Sequence, residues 1–260
     1  MNLTKNLINH HSSYLDPEGP VMSEFDFIVK RVGAVASIDL NRPQEGNTLT
    51  REMMTQLTQL LIELGSDSSV NIVVIESRGE LFCAGRDGKG ESRVGMTAYE
   101  IRVKMMGAVL GVYKAIAQVP VPVIAMVQGD AVGFGAALAV SCDVTLASSK
   151  ARFSFPEIEH NIPPTMAMCA ALGKIPSKAL SFLIYSAESV DSTEAIHLGL
   201  ASKIIDEKNF HHDAHAFAKK MSERPRLVLE TIKLYQEKAA QLTPDMASEY
   251  AGTLLALVRN

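Results

Sequence analysis

The run Ile72-Val-Val-Ile75 sets four apolar, β-branched side chains in succession, with no polar residue to mark a solvent face. A strand of this kind needs cover on both sides, as in a sheet with helices on each face. Val123–Val127 repeats the pattern, and Asp143–Ala147 is again strand-like. Elsewhere the periodicity changes. From Thr50, the residues Met53, Leu57, Leu60, Leu61 and Leu64 recur at helical spacing, with Gly65 as a stop. A second helical stretch runs from about Thr97 to Gln118 and is closed by Pro120 and Pro122. Strands alternating with helices predict an α/β architecture with crossover connections.

Upstream, Phe25–Val29 and Ala34–Leu40 flank Lys30-Arg-Val-Gly33 and predict a β-hairpin, followed by the loop Asn41–Thr48 with its Pro and Gly breakers. A glycine-rich, charged loop spans Ser77–Gly90, and a glycine-spaced turn, Gly129–Gly135, opens a small-residue helix predicted over Ala136–Ser141. After residue 165 the strand pattern fades apart from Ala201–Ile205. Amphipathic helical pieces follow at 176–186, 191–199, 209–222 and 225–240. Their apolar faces need a surface to bury against, on the main body or on a neighbouring subunit. Residues 1–22 read as a polar, flexible tail without the apolar core of a secretory signal. The division expected is this tail, a core over 23–200 and a C-terminal helical region over 201–260.

Composition excludes several classes of function. With 260 residues, 47% hydrophobic and 21% charged, the chain has the make-up of an ordinary globular protein. A net charge of −4 carries no basic footprint for nucleic acid or anionic lipid. No uncharged apolar run approaches the roughly 18 residues of a membrane span. Cys83, Cys142 and Cys169 lack CxxC spacing, which fits a reducing, cytoplasmic setting without disulfides or a zinc site. His211-His-Asp-Ala-His215 offers imidazoles at i and i+4, but on a polar helix this reads as a solvated face, and no metal is expected.

Three segments have the make-up of a site. Gly79–Asp87 follows a buried strand, and its glycines let backbone approach a ligand and point an N–H at it, or simply form a surface turn. Gly129–Gly135 opens a helix whose unpaired N–H groups suit a developing anion, or else provides close helix–strand packing. Its GxxxGxG spacing is neither a dinucleotide fingerprint nor a Walker A loop. Phe153–Pro164 places Glu157, Glu159 and His160 in an otherwise apolar stretch. There a carboxyl has its pKa raised and becomes a usable proton carrier, or else Glu157 caps a helix or pairs with Arg152. Cys83, in the apolar run Leu81–Ala84, reads as an inert buried thiol.

Leu40-Asn-Arg-Pro43 with Asn47, then Phe82-Cys-Ala-Gly-Arg-Asp87, then Gly129…Gly133-Phe-Gly135…Cys142-Asp143, then Phe155-Pro-Glu157…Ile162-Pro163 stand in an order that resembles the crotonase superfamily of enoyl-CoA hydratases and isomerases. The resemblance covers about residues 24–240. It implies a crotonase-like fold of repeated ββα units with a helical C-terminal region that mediates trimerisation, often as a dimer of trimers. It also implies an acyl-CoA substrate, with coenzyme A as part of that substrate and no separate cofactor.

By resemblance, the oxyanion of the thioester is held by the backbone N–H groups of Arg86 and Phe134. The main chain around Phe82, Cys83 and Ala84 recognises the adenine of CoA. Phe134 stands at the middle of the family's usual triple glycine, beside Gly133, where it crowds the site and shapes the acyl pocket. Asp87 occupies a position commonly acidic in the family and reads as structural. Hydratases carry two glutamates: the second matches Glu157, and the first falls on Ala137, which moves no proton. A single carboxylate suits a 1,3-proton shift through an enolate. His160-Asn161 stands where the family has Leu-Gly, with Glu159 directly before it, and Glu159 or His160 could supply a second acid/base. A hydrolase or decarboxylase of a specialised acyl-CoA, or a non-catalytic CoA-ester binder, is the alternative.

Overall fold

The computed structural model describes residues 26–259 except Gly90 and Arg93. The tail expected over residues 1–22 lies outside the described residues, as does Phe25, the predicted start of the hairpin. β1 (Phe27–Val32) and β2 (Val35–Leu40) form that hairpin, but Lys30, Arg31 and Val32 extend the first strand instead of forming the turn. An edge strand tolerates such charges because each finds a partner: Lys30 Nζ lies 2.6 Å from Asp39 Oδ2, and Arg31 pairs with Asp67.

Helix α1 (Arg51–Ser66) starts at Thr50, whose side chain accepts from the Met53 N–H, and buries Met53, Leu57, Leu61 and Leu64. β3 (Ile72–Ser77) follows. The next helical run begins with a capping box between Thr97 and Glu100, through α2 (Ala98–Glu100). It widens to π geometry over Ile101–Met106 and continues as α3 (Gly107–Gln118). β4 (Val123–Val127) and a short β5 (Ala131–Val132) lead into α4 (Phe134–Ser141). That helix begins two residues before the expected Ala136, because Gly133 alone makes the turn.

β6 (Val144–Ser148) and β7 (Arg152–Ser154) precede a 3-10 turn, Pro156–His160, and α5 (Thr165–Ala171). Then come α6 (Ser177–Ser186), β8 (Val190–Asp191), α7 (Ser192–Leu198) and β9 (Lys203–Ile205). The chain closes with α8 (Phe210–Ser222), α9 (Arg226–Ala239) and α10 (Pro244–Arg259). β5, β7, β8 and α10 were not anticipated from the sequence. The three strands are two or three residues long, too short to show a period.

The main sheet has the order β1-β2-β3-β4-β6-β9, antiparallel only between β1 and β2, and β5-β7-β8 form a second, smaller sheet. Alternation along β3 explains its continuous apolar run. Val73 and Ile75 enter the large core, which also holds apolar side chains of α1, α3 and α4. Ile72 and Val74 join a second core with Phe210, Ala214 and Ala218 of α8. α9 is pinned by Lys233, whose buried ammonium donates to Asp143 Oδ2 at 2.7 Å and to the carbonyls of Ile116 and Val121. α10 packs on α9, with Tyr235 stacked on Tyr250, and buries none of its own residues. Among the described residues no helix is long and apolar enough to cross a membrane.

Candidate active site

The loop after β3 is held from below by two buried amides. Asn47 Nδ2 donates to the carbonyls of Arg78 and Leu81 at 2.8 and 2.9 Å, and Gln128 Nε2 donates to Gly79 and Leu81. The loop next pairs with two other segments. Ala84 N–H donates to Gly46, Leu49 N–H to Gly85 and Asp87 N–H to Leu49, which places Leu49 and Arg86 side by side in a single parallel bridge. On the other side, Phe82 and Cys83 donate to Asp130, and Val132 donates to Cys83 at 2.9 Å. The N–H of Arg86 falls between these bonds and has no partner among the described residues.

The glycines of the second segment divide between the two roles read from the sequence. Gly129 and Gly135 serve close packing: a Cβ on either would stand 1.8 Å from Glu80 O or 2.1 Å from Cys83 O. Gly133 serves the turn. With φ 54° and ψ −114° it caps α4 and frees the N–H of Phe134, the first helical residue, which has no acceptor within the helix. Ala137 lies one turn further on, fully buried, and donates its N–H to Gly133 O at 3.0 Å.

Glu157 closes the third side. It lies in the 3-10 turn after β7, and its Oε1 would stand 3.0 Å from a Cβ on Gly133. The fold therefore brings the segments of Arg86, Phe134 and Glu157 together, through Cys83 against Gly135 and Gly133 against Glu157. Burial pushes the Glu157 carboxyl above its ordinary pKa of 4.5, opposed by hydrogen bonding to its own backbone and by the charge of His160. Its Oε2 is buried and has no hydrogen-bond partner among the described residues. The expected partner Arg152 is engaged elsewhere, with Ser189. Glu159 and His160 are exposed on the same turn.

The remaining expected residues have supporting parts. Cys83 is fully buried, its thiol pushed up to about 12 by that burial, so it is an inert side chain. Asp87 sits 3.5 Å from the Arg42 guanidinium, which also donates to Thr48 O, tying the loop to the Asn41–Thr48 segment. The Arg86 side chain pairs with Glu91. Phe82 is wholly buried, and Ala84 partly.

The structure adds Tyr113, which the sequence did not single out. Its ring stacks on Phe134 with centroids 5.9 Å apart, and its hydroxyl is pushed above its ordinary pKa by burial and then by the charge of Glu157. An aromatic residue on the apolar face of a helix reads as core, and only the tertiary fold shows that Tyr113 also faces an acid.

Comparison with known proteins supplies the family and the fold. The sequence model described as enoyl-CoA hydratase/isomerase matches residues 30–254. The chain belongs to this family. It is 31% identical to the 2,3-dehydroadipyl-CoA hydratase of Escherichia coli K12 over 229 residues, 86% of this chain and 87% of that protein. It is 29% identical to the short-chain-enoyl-CoA hydratase of Clostridium acetobutylicum over 224 residues, 85% and 84% of the two chains. Among solved structures, an enoyl-CoA hydratase of Mycobacterium smegmatis superposes with a TM-score of 0.84 at 28% identity, covering 90% of this chain and 91% of that one. The fold is the crotonase fold, with its helical C-terminal region.

Proposed function

We propose that this family member acts on an acyl-CoA thioester. Its carbonyl oxygen is received by the N–H groups of Arg86 and Phe134, and Glu157 moves a proton at the acyl chain as the single acid/base. The observation that carries this reading is the buried, unpartnered Oε2 of Glu157, set beside the glycine turn that frees the Phe134 amide. Backbone donors at a helix start suit the charge that develops on a thioester oxygen when its α-carbon loses a proton. A carboxyl raised by burial is matched to exchange that proton near neutrality.

With Ala137 in place of a second glutamate, one carboxylate removes a proton from the α-carbon and, now protonated, returns it to the γ-carbon, so the double bond moves by one carbon, which is isomerisation. Hydration is the second reading, favoured by the presence of Glu159 and His160 on the same turn as Glu157. In that reading His160 or Glu159 activates the water. The Phe82, Cys83 and Ala84 N–H groups are taken by Asp130 and Gly46 and the Cys83 carbonyl by Val132, so adenine recognition along this stretch falls to the carbonyl oxygens of Phe82 and Ala84. Homotrimers or hexamers form through the C-terminal helices, where Leu255 and Leu257 are exposed. The three free cysteines fit a reducing, cytoplasmic setting.

The test uses trans-2- and trans-3-enoyl-CoA esters in water enriched in oxygen-18. Double-bond migration without label supports isomerisation, and label in a 3-hydroxyacyl product supports hydration. No turnover of any ester, together with a raised melting temperature in their presence, reduces the protein to a CoA-ester binder.

A further inference from the structure

The opposite face of the main sheet carries a cluster that the acyl-CoA chemistry does not use. Glu76 is near the end of β3, and its buried side chain points at α8, where Oε2 lies 3.0 Å from Nε2 of His215. His211 stands one helical turn before His215, so both imidazoles share a face of the helix. The ligand atoms of Glu76, His211 and His215 all lie within 4.8 Å of one another. We propose that these three residues form a site for a borderline divalent transition-metal cation of the zinc class, which clamps α8 to the sheet.

The donor set and its support favour that cation. Two imidazole nitrogens and one carboxylate oxygen suit Zn²⁺, Co²⁺ or Ni²⁺, whereas Ca²⁺ and Mg²⁺ prefer oxygen throughout. Ligands about 2.1 Å from a tetrahedral ion stand roughly 3.4 Å apart, so a span of 3.0 to 4.8 Å closes by side-chain rotation alone. Three protein ligands leave a fourth position for water, and both histidines are exposed, which gives an ion its way in.

The framework is fixed in advance. Phe210 and Ala214, interleaved with the histidines, are buried in the core beneath α8, and the Phe210 ring meets His211 edge-on at 5.5 Å. On the strand side, Asp39 lies directly opposite Glu76 in the β2–β3 register and is itself held by Lys30 and Arg78 at 2.6 and 2.9 Å. The sequence shows only the histidine pair. Glu76, 139 residues from His215, joins it through the fold, and this is why a solvated face was the natural reading of the sequence alone.

The experiment titrates Zn²⁺ alone into the full, untagged chain after chelator treatment, by calorimetry and by melting temperature, with Co²⁺ absorption as a spectroscopic readout. One zinc per chain, a raised melting temperature and intense cobalt bands are expected. His211→Ala, an exposed change whose metal-free melting temperature should match the parent, weakens binding at least about 10-fold and removes the bands. His212→Ala leaves binding intact, since that side chain projects to solvent beside Asp213. Absence of a stabilising zinc site in the parent overturns the proposal and reduces His215 and Glu76 to an ion pair. Equal binding by the parent and His211→Ala overturns it too.

Discussion

A methyl group on Gly133 would stand 3.0 Å from Oε1 of Glu157, so the turn proposed to free an oxyanion donor and the proposed acid leave no room between them for a side chain. Gly133→Ala should therefore damage two functions at once. The backbone conformation at φ 54°, ψ −114° is hostile to a side chain, at a cost of about 1–3 kcal/mol, and the added carbon displaces the carboxylate. A melting temperature lowered by several degrees with kcat reduced more than KM is expected. A variant with parental kcat would show that the turn and the acid are uncoupled.

Glu157→Gln should lower kcat by about 10²–10⁴-fold while acyl-CoA binding persists. The same change should stabilise the protein at neutral pH. The folded-state pKa of Glu157 is raised above its ordinary 4.5, so its favourable contribution is complete below that value and is lost as pH rises through the folded pKa. Glutamine has no such loss. Melting curves of both proteins from pH 4 to pH 8 check this: the gap in favour of glutamine widens with pH, and a constant gap contradicts the assignment.

In the proposed mechanism Phe134 donates through its backbone, so Phe134→Ala should retain turnover on short enoyl-CoA esters. Removing the ring takes away the stacking on Tyr113 and should widen the acyl space, at a stability cost of about 3 kcal/mol. Comparing kcat/KM across a series of acyl lengths gives the answer. A uniform loss across the series would mean that the ring positions the amide instead of limiting the chain.

Lys233→Met leaves Asp143 without its cationic partner and frees the carbonyls of Ile116 and Val121. Breaking a buried pair from one side costs about 3–5 kcal/mol. Denaturant unfolding should show that loss, and α9 should become more accessible to protease than the sheet.

Among the strands that the sequence revealed, the plainest are those buried on both faces, because an unbroken β-branched run such as Ile72–Ile75 admits few other readings. The two- and three-residue strands β5, β7 and β8 give no periodicity, and they form only because Ala131 and Val132 are already aligned with Phe153 and Ser154. The site divides in the same way. The segments Gly79–Asp87 and Gly129–Gly135 and the acid Glu157 could be singled out as candidates because backbone donors need glycine turns and proton transfer needs a titratable group, whereas Arg86 and Phe134 were named within them by the family resemblance. Tyr113 and Glu76 were not legible. Each meets a neighbour distant in sequence, Phe134 for Tyr113 and His215 for Glu76, and locally each looks like an ordinary residue of a helix face or a strand end.

The end of β3 separates two chemical neighbourhoods by a single peptide bond. Glu76 points toward His215 beneath the sheet, while Ser77 bonds to Leu81 and Gln128 beside the loop that carries Arg86. Side chains on the two faces of a pleat do not touch. A lineage carrying this fold can therefore rewrite one face by substitution while the other stays as it is, and only a shift in the strand's register would force the two to change together.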